Sequence, residues 1–145
     1  MKILMTLLTL FSFIYAAQID EFAAEVNYLR NYEMAIKTAK KQNKIVMLVV
    51  VGDYCPWCKK FERKTLTDSA IMAKTNESFV AIIIDKYKDK GKYPQEFSAP
   101  LIPAVFFINP KDGKSLQETV AYMKPDEFME NMDYAISLNK SEKKQ

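Results

Sequence analysis

Three stretches of the chain, Ile45–Val51 (IVMLVVV), Phe79–Ile84 (FVAIII) and Ala104–Ile108 (AVFFI), are apolar without interruption and rich in β-branched or aromatic residues. Strands covered on both faces of a sheet read this way, because neither face meets water. Between them the pattern changes period. Asn31 can cap a helix over Tyr32–Gln42, with Ala35, Ile36 and Ala39 on one face and Lys37, Lys40 and Lys41 on the other. Pro56 suits a first helical turn, where its missing N–H costs nothing, and predicts a helix running through Arg63. Thr67-Asp68-Ser69 is a capping signal for another helix over about Ala70–Asn76. Pro125 opens a last helix with apolar Phe128, Met129, Met132, Ala135, Ile136 and Leu138, followed by a basic tail, Ser141–Gln145, that frays.

The remaining segments connect these elements. Val26-Asn27-Tyr28-Leu29 alternates and predicts a short edge strand. Asp85–Pro94 is a polar, lysine-rich loop, in which Lys86–Lys90 reads first as a solvated charge run and second as a partner surface. Asn109-Pro110-Lys111-Asp112-Gly113 is a turn signal, so Ser115–Ala121 is expected to pair antiparallel with the preceding strand. Alternating strands and helices, then a hairpin and a helix, predict an α/β sandwich around a mixed sheet.

The N-terminus stands apart. Met1-Lys2 precedes an apolar run, Ile3–Tyr15, then Ala16-Ala17 and polar Gln18-Ile19-Asp20-Glu21. This layout predicts a secretory signal peptide over residues 1–17, cut near Ala17, and a domain over 18–145. The run is shorter than the ~20 residues a spanning helix needs. An uncleaved anchor is the competing reading, since Tyr15 stands where a small residue is usual. No other apolar segment is long enough to span a bilayer, so the mature protein is expected to be exported, without a transmembrane segment, and periplasmic. Loss of Lys2 leaves 20 basic against 18 acidic residues, too even a balance to imply nucleic acid.

The chemistry rests on the cysteines. There are two, Cys55 and Cys58, and no histidine. A zinc site needs about four ligands and would have to borrow carboxylates. A haem attachment site needs a histidine after Cys58, where Lys59 stands. A structural bridge over two intervening residues constrains the unfolded chain little. Thiol–disulfide exchange fits the spacing best. At a helix start, the N–H groups and dipole stabilise a thiolate on Cys55, while Cys58 lies one turn in and can resolve a mixed disulfide. Trp57, between the two cysteines in sequence, is expected to be exposed, free to pack against a partner.

Asp53-Tyr54-Cys55-Pro56-Trp57-Cys58-Lys59-Lys60-Phe61 after a buried strand, Leu101-Ile102-Pro103-Ala104-Val105-Phe106-Phe107 further on, and the turn Asn109–Lys114 resemble the thioredoxin superfamily. More narrowly, they resemble its exported bacterial members with Cys-Pro-Trp-Cys. The resemblance runs from about Val26 to Leu138. It implies a thioredoxin fold, with a central mixed sheet of about 4–5 strands flanked by helices. It also implies a thiol–disulfide oxidoreductase with a redox-active disulfide and no other cofactor or metal. Cys55 and Cys58 would be catalytic, and a cis Pro103, with Ile102, Trp57 and Tyr54, would contact substrate. Thioredoxins carry a buried acid six residues before the first cysteine; Val49 stands there, and no acid occurs in Ile45–Val51. Glu62, one turn past Cys58, is a candidate substitute, expected to be an exposed helix carboxylate. The preferred reading is a periplasmic reductase of exported client proteins with cysteines, fed by a membrane-bound thiol–disulfide donor. The rivals are an oxidase or isomerase, a glutaredoxin-like enzyme, and a non-catalytic binding or chaperone protein on the same fold.

Overall fold

A computed structural model describes residues 17–143, so the expected signal peptide lies almost wholly outside the described residues. Helices α1 (Gln18–Val26) and α2 (Tyr32–Gln42) precede β1 (Ile45–Val51). Then come α3 (Pro56–Phe61), a π-helical turn (Glu62–Leu66), α4 (Ser69–Ser78), β2 (Phe79–Asp85), a short 3-10 turn (Gln95–Phe97), β3 (Ala104–Ile108), β4 (Ser115–Val120) and α5 (Pro125–Glu142). The strand order is β2-β1-β3-β4, with β1 parallel to β2 and antiparallel to β3, and β3 antiparallel to β4. This is the expected mixed α/β sheet, with four strands.

Every residue of β1, β2 and β3 is buried, as their unbroken apolar runs require. Alternate side chains go to opposite cores. Met47, Val49, Val51 and Phe107 pack with Phe61 and Phe128, and with Ile19 and Phe22 of α1. Val46, Leu48, Val50 and Phe106 pack with Tyr32, Ala35 and Ala39 of α2 and with Phe97. The capping signals act as expected: Asn31 accepts from the Met34 N–H, and Asp68 from the N–H groups of Ala70 and Ile71. In the β3–β4 turn the Gly113 N–H donates to Asn109 O at 2.9 Å, with Gly113 at φ 75°.

Two expectations are corrected. The segment Val26–Leu29 is not an edge strand: Val26 ends α1, and Asn27 closes that helix in the left-handed conformation at φ 60°. Only Leu29 reaches the sheet, as one parallel bridge whose N–H donates to Ala81 O at 2.8 Å and whose carbonyl accepts from the Ile83 N–H at 3.0 Å. The helix after Cys55 does not run regularly through Arg63, because it widens into the π-helical turn at Glu62.

The lysine-rich loop after β2 is tied down by its acids. Asp85 Oδ1 accepts from the N–H groups of Tyr87 and Lys88. Asp89 is buried, accepts the Asp85 N–H and meets Arg30 Nη1 at 2.9 Å. Burial works to raise the Asp89 carboxyl, but the Asp85 N–H and the Arg30 guanidinium hold it below the usual carboxylate range. Tyr87 and Lys88 remain exposed.

Candidate functional site

The site is built where β1 ends. Gly52 continues the chain past Val51 under close contact: a Cβ there would lie 2.9 Å from Ile102 Cδ1 and 3.4 Å from the Tyr87 ring, so a side chain would push Ile102 aside. Three residues on, Cys55 is the N-cap of α3 with extended backbone, and Pro56 occupies the first helical turn. Cys55 Sγ accepts the Cys58 N–H at 3.2 Å, so the sulfur takes the place of the usual capping oxygen. It lies at the positive end of the helix, which favours negative charge on it when reduced.

Cys55 and Cys58 are joined in a disulfide. Their environments differ. Cys55 is half-buried, and Cys58 is 0% exposed among the residues of the first core. The Ile102–Pro103 peptide bond is cis, and Ile102 O lies 3.8 Å from Cys55 Sγ. Thus Ile102 and Pro103, forty-odd residues away in the chain, lie beside the cysteines.

Ile102 divides the surface around Cys55 into two clefts. One, of about 520 Å³, is lined by Gly52, Asp53, Tyr54, Cys55, Tyr87, Lys88 and Ile102, among others. The other, of about 280 Å³, is lined by Trp57, Ile102, Pro103, Ala121 and Tyr122. Tyr54 is wholly exposed and Trp57 is 57% exposed. Asp53 pairs with Lys88, and that ammonium holds its carboxyl below the usual range. Ala121 sits at φ 75° and donates its N–H to Pro103 O at 2.9 Å, which fixes the wall of the second cleft. Sequence reasoning did not place Tyr122 at the site, because it arrives from a loop far away in the chain; Tyr87 belongs to the Lys86–Lys90 loop, whose second reading was a partner surface.

Glu62 departs from expectation. It is buried, 2% exposed, rather than displayed on a solvated helix face. Its position is i+4 from Cys58, so both lie on the inward face of the same turn. Glu62 Oε2 meets Lys59 Nζ at 3.3 Å, while Oε1 has no hydrogen-bond partner. Burial pushes its carboxyl up, and Lys59 pulls it partly back, leaving it above the usual range. Val49, where thioredoxins place their buried acid, is 0% exposed and apolar, so the one buried acid adjoining the pair in the chain comes from the helix side.

A raised pKa in the folded state stabilises the fold fully below the unfolded value of about 4.5, and that contribution is lost as pH rises through the folded value. Glu62→Gln keeps the shape and removes the ionisation. Oxidised Glu62→Gln protein is expected to match the native protein in stability near pH 3–4 and to become the more stable of the two as pH rises. Urea unfolding midpoints measured from pH 3 to 8 check this; parallel curves would contradict it.

The comparisons agree with this geometry. The chain is 28% identical over 108 residues to the thiol:disulfide interchange protein DsbD of Colwellia psychrerythraea, covering 72% of this chain and 18% of that protein. A second DsbD, from Actinobacillus pleuropneumoniae, is 26% identical over 79% of this chain. The chain thus spans 18–20% of the length of these curated relatives. Among solved structures, the DsbH oxidoreductase superposes with a TM-score of 0.63 at 20% identity, covering 77% of this chain and 85% of that one. The C-terminal domain of Neisseria meningitidis DsbD in its reduced form superposes at 0.59 with 24% identity, covering 70% and 90%. Residues 32–136, spanning α2 to α5 with the disulfide and the cis proline between, match the thioredoxin-like domain, and the chain belongs to that family.

Proposed function

We propose that this protein is a periplasmic thiol–disulfide oxidoreductase that reduces disulfides in exported client proteins. The observation that carries the reading is the asymmetry of the pair: a half-buried Cys55 at a helix N-terminus, backed by a fully buried Cys58. In the reduced protein the Cys55 thiolate attacks one sulfur of a client disulfide. A Cys55–client S–S bond forms, the client S–S bond breaks, and one client thiolate leaves. Cys58, once deprotonated, attacks Cys55 Sγ, forms the intramolecular disulfide and releases the second client thiolate. Two electrons pass to the client, whose thiolates take up protons. Glu62, one turn past Cys58 and with an elevated pKa and unpartnered Oε1, takes the Cys58 proton in this reading. Ile102 and Pro103 hold the client backbone, with Tyr54 and Trp57 flanking it.

A membrane-bound dithiol donor then reduces Cys55–Cys58 and closes the cycle. The likeness to thiol:disulfide interchange proteins supports exchange chemistry. The stretch from Lys86 to Pro100 holds a loop and one short 3-10 turn, without the inserted helical domain that strong oxidants of this fold carry, which supports the reducing direction. The test is insulin reduction with dithiothreitol as donor, together with the reduction potential in glutathione buffers. Catalysed reduction and a potential near about −270 mV are expected; a potential near about −120 mV would reverse the direction, and absence of catalysis would remove the activity.

A further inference from the structure

The cations around the disulfide are not equivalent. Lys59 is paired with Glu62, Lys88 with Asp53, and Arg63 with Glu25. Among the described residues, Lys60 makes no ion pair with a carboxylate. Its ammonium lies instead over two aromatic faces at once, 4.9 Å from the Trp57 ring centroid and 4.6 Å from that of Tyr122. The two rings are 5.7 Å apart, tilted by 36°, and both line the smaller cleft with Ile102 and Pro103.

This arrangement has two physical consequences. A free lysine loses much rotamer entropy when it meets a carboxylate, which is why exposed ion pairs contribute little. Here cation–π attraction has already restricted the side chain, so a partner carboxylate meets an ammonium held in place. The cleft below offers an apolar floor from Ile102 and Pro103, and Ile102 O is 3.8 Å from Cys55 Sγ. An extended segment advances about 3.3 Å per residue. With its sulfur at Cys55, the side chains one or two positions away are the ones that reach this cleft and its charged rim.

We infer that Lys60 is a specificity-determining residue, selecting polypeptide disulfides that carry an acidic side chain within one or two residues of the attacked half-cystine. The inference rests on the proposed exchange activity and adds the chemistry of the substrate. Wild-type charge then favours acidic over basic flanks, and salt erodes the preference because the rim is exposed.

The test uses two synthetic peptides, each with one intramolecular disulfide, identical except for a Glu or a Lys beside the half-cystine. Single-turnover reduction by the dithiothreitol-reduced, desalted protein gives a second-order rate for each. The acidic peptide is expected to react about three- to fivefold faster at low salt, the range an exposed ion pair supplies. That ratio should approach one in about 1 M salt, where the screening length is about 3 Å. Lys60→Gln should bring the ratio to one at low salt, and Lys60→Arg should retain it. A ratio unchanged in Lys60→Gln, or lost equally in Lys60→Arg, overturns the inference. Reduction of neither peptide would overturn the oxidoreductase reading beneath it, a result distinguishable from equal reduction of both.

Discussion

In a Cys58→Ser protein, a client attacked by Cys55 is expected to stay attached. The exposed side of the pair belongs to Cys55, whose sulfur sits at the N-cap of α3 and accepts the Cys58 N–H at 3.2 Å. Cys58 has 0% exposure, so in the proposed mechanism it meets no client directly. Removing its thiol leaves the first exchange intact and deletes the second, because a serine hydroxyl does not displace a thiolate from sulfur. The mixed disulfide should accumulate as a discrete adduct on a non-reducing gel and vanish with dithiothreitol. Cys55→Ser should give no adduct, and insulin reduction should fall to the uncatalysed background in both variants. An adduct in Cys55→Ser with none in Cys58→Ser would exchange the two roles.

The second large effect is structural. Phe128 of α5 is 0% exposed and bridges the site to the sheet: its ring meets Phe61 of α3 edge-on at 5.2 Å and Phe107 of β3 at 6.2 Å. Phe107 in turn lies 5.5 Å from Phe79 of β2. Truncating the central ring removes its burial and leaves a void that three elements cannot close together. Phe128→Ala is expected to cost about 3–5 kcal/mol and to lower Tm by about 10–20 °C for a domain of this size. Tyr134→Ala, on the same helix but 56% exposed, should change stability by no more than about 0.5 kcal/mol. Thermal unfolding followed by far-ultraviolet circular dichroism compares the two; equal, small shifts would mean that the α5 contact is dispensable.

Strands β1, β2 and β3 were legible because they are buried on both faces. Nothing polar interrupts Ile45–Val51, and the observed strand has those bounds. The hairpin was legible through its turn chemistry, and α4 through Asp68, although that helix extends from Ser69 to Ser78, beyond the expected Ala70–Asn76. Helix α1 was not read, even though Ile19, Phe22, Ala23 and Val26 recur at helical spacing. The alternation of Val26–Leu29 drew attention to an extended reading, whereas Asn27 reverses the chain in a left-handed turn and leaves Leu29 one bridge. At the site, the cysteine pair and Ile102-Pro103 were visible as motifs. Glu62 was picked out by its spacing, one turn past Cys58, but its burial was not legible, because it stands among Lys59, Lys60, Arg63 and Lys64, a run that reads as solvated. The same spacing carried the burial too: a resolving cysteine must face inward, and the residue four positions later shares that face. The smaller cleft was not legible, since Tyr122 reaches it through a loop path that no local pattern encodes.

Trp57 is the chain's single tryptophan, and it lies between the two cysteines at 57% exposure. A disulfide accepts an electron from a nearby excited indole, so the emission of this protein is expected to be dim when oxidised and bright when reduced. The molecule therefore carries an optical signal of its own redox state at the site itself.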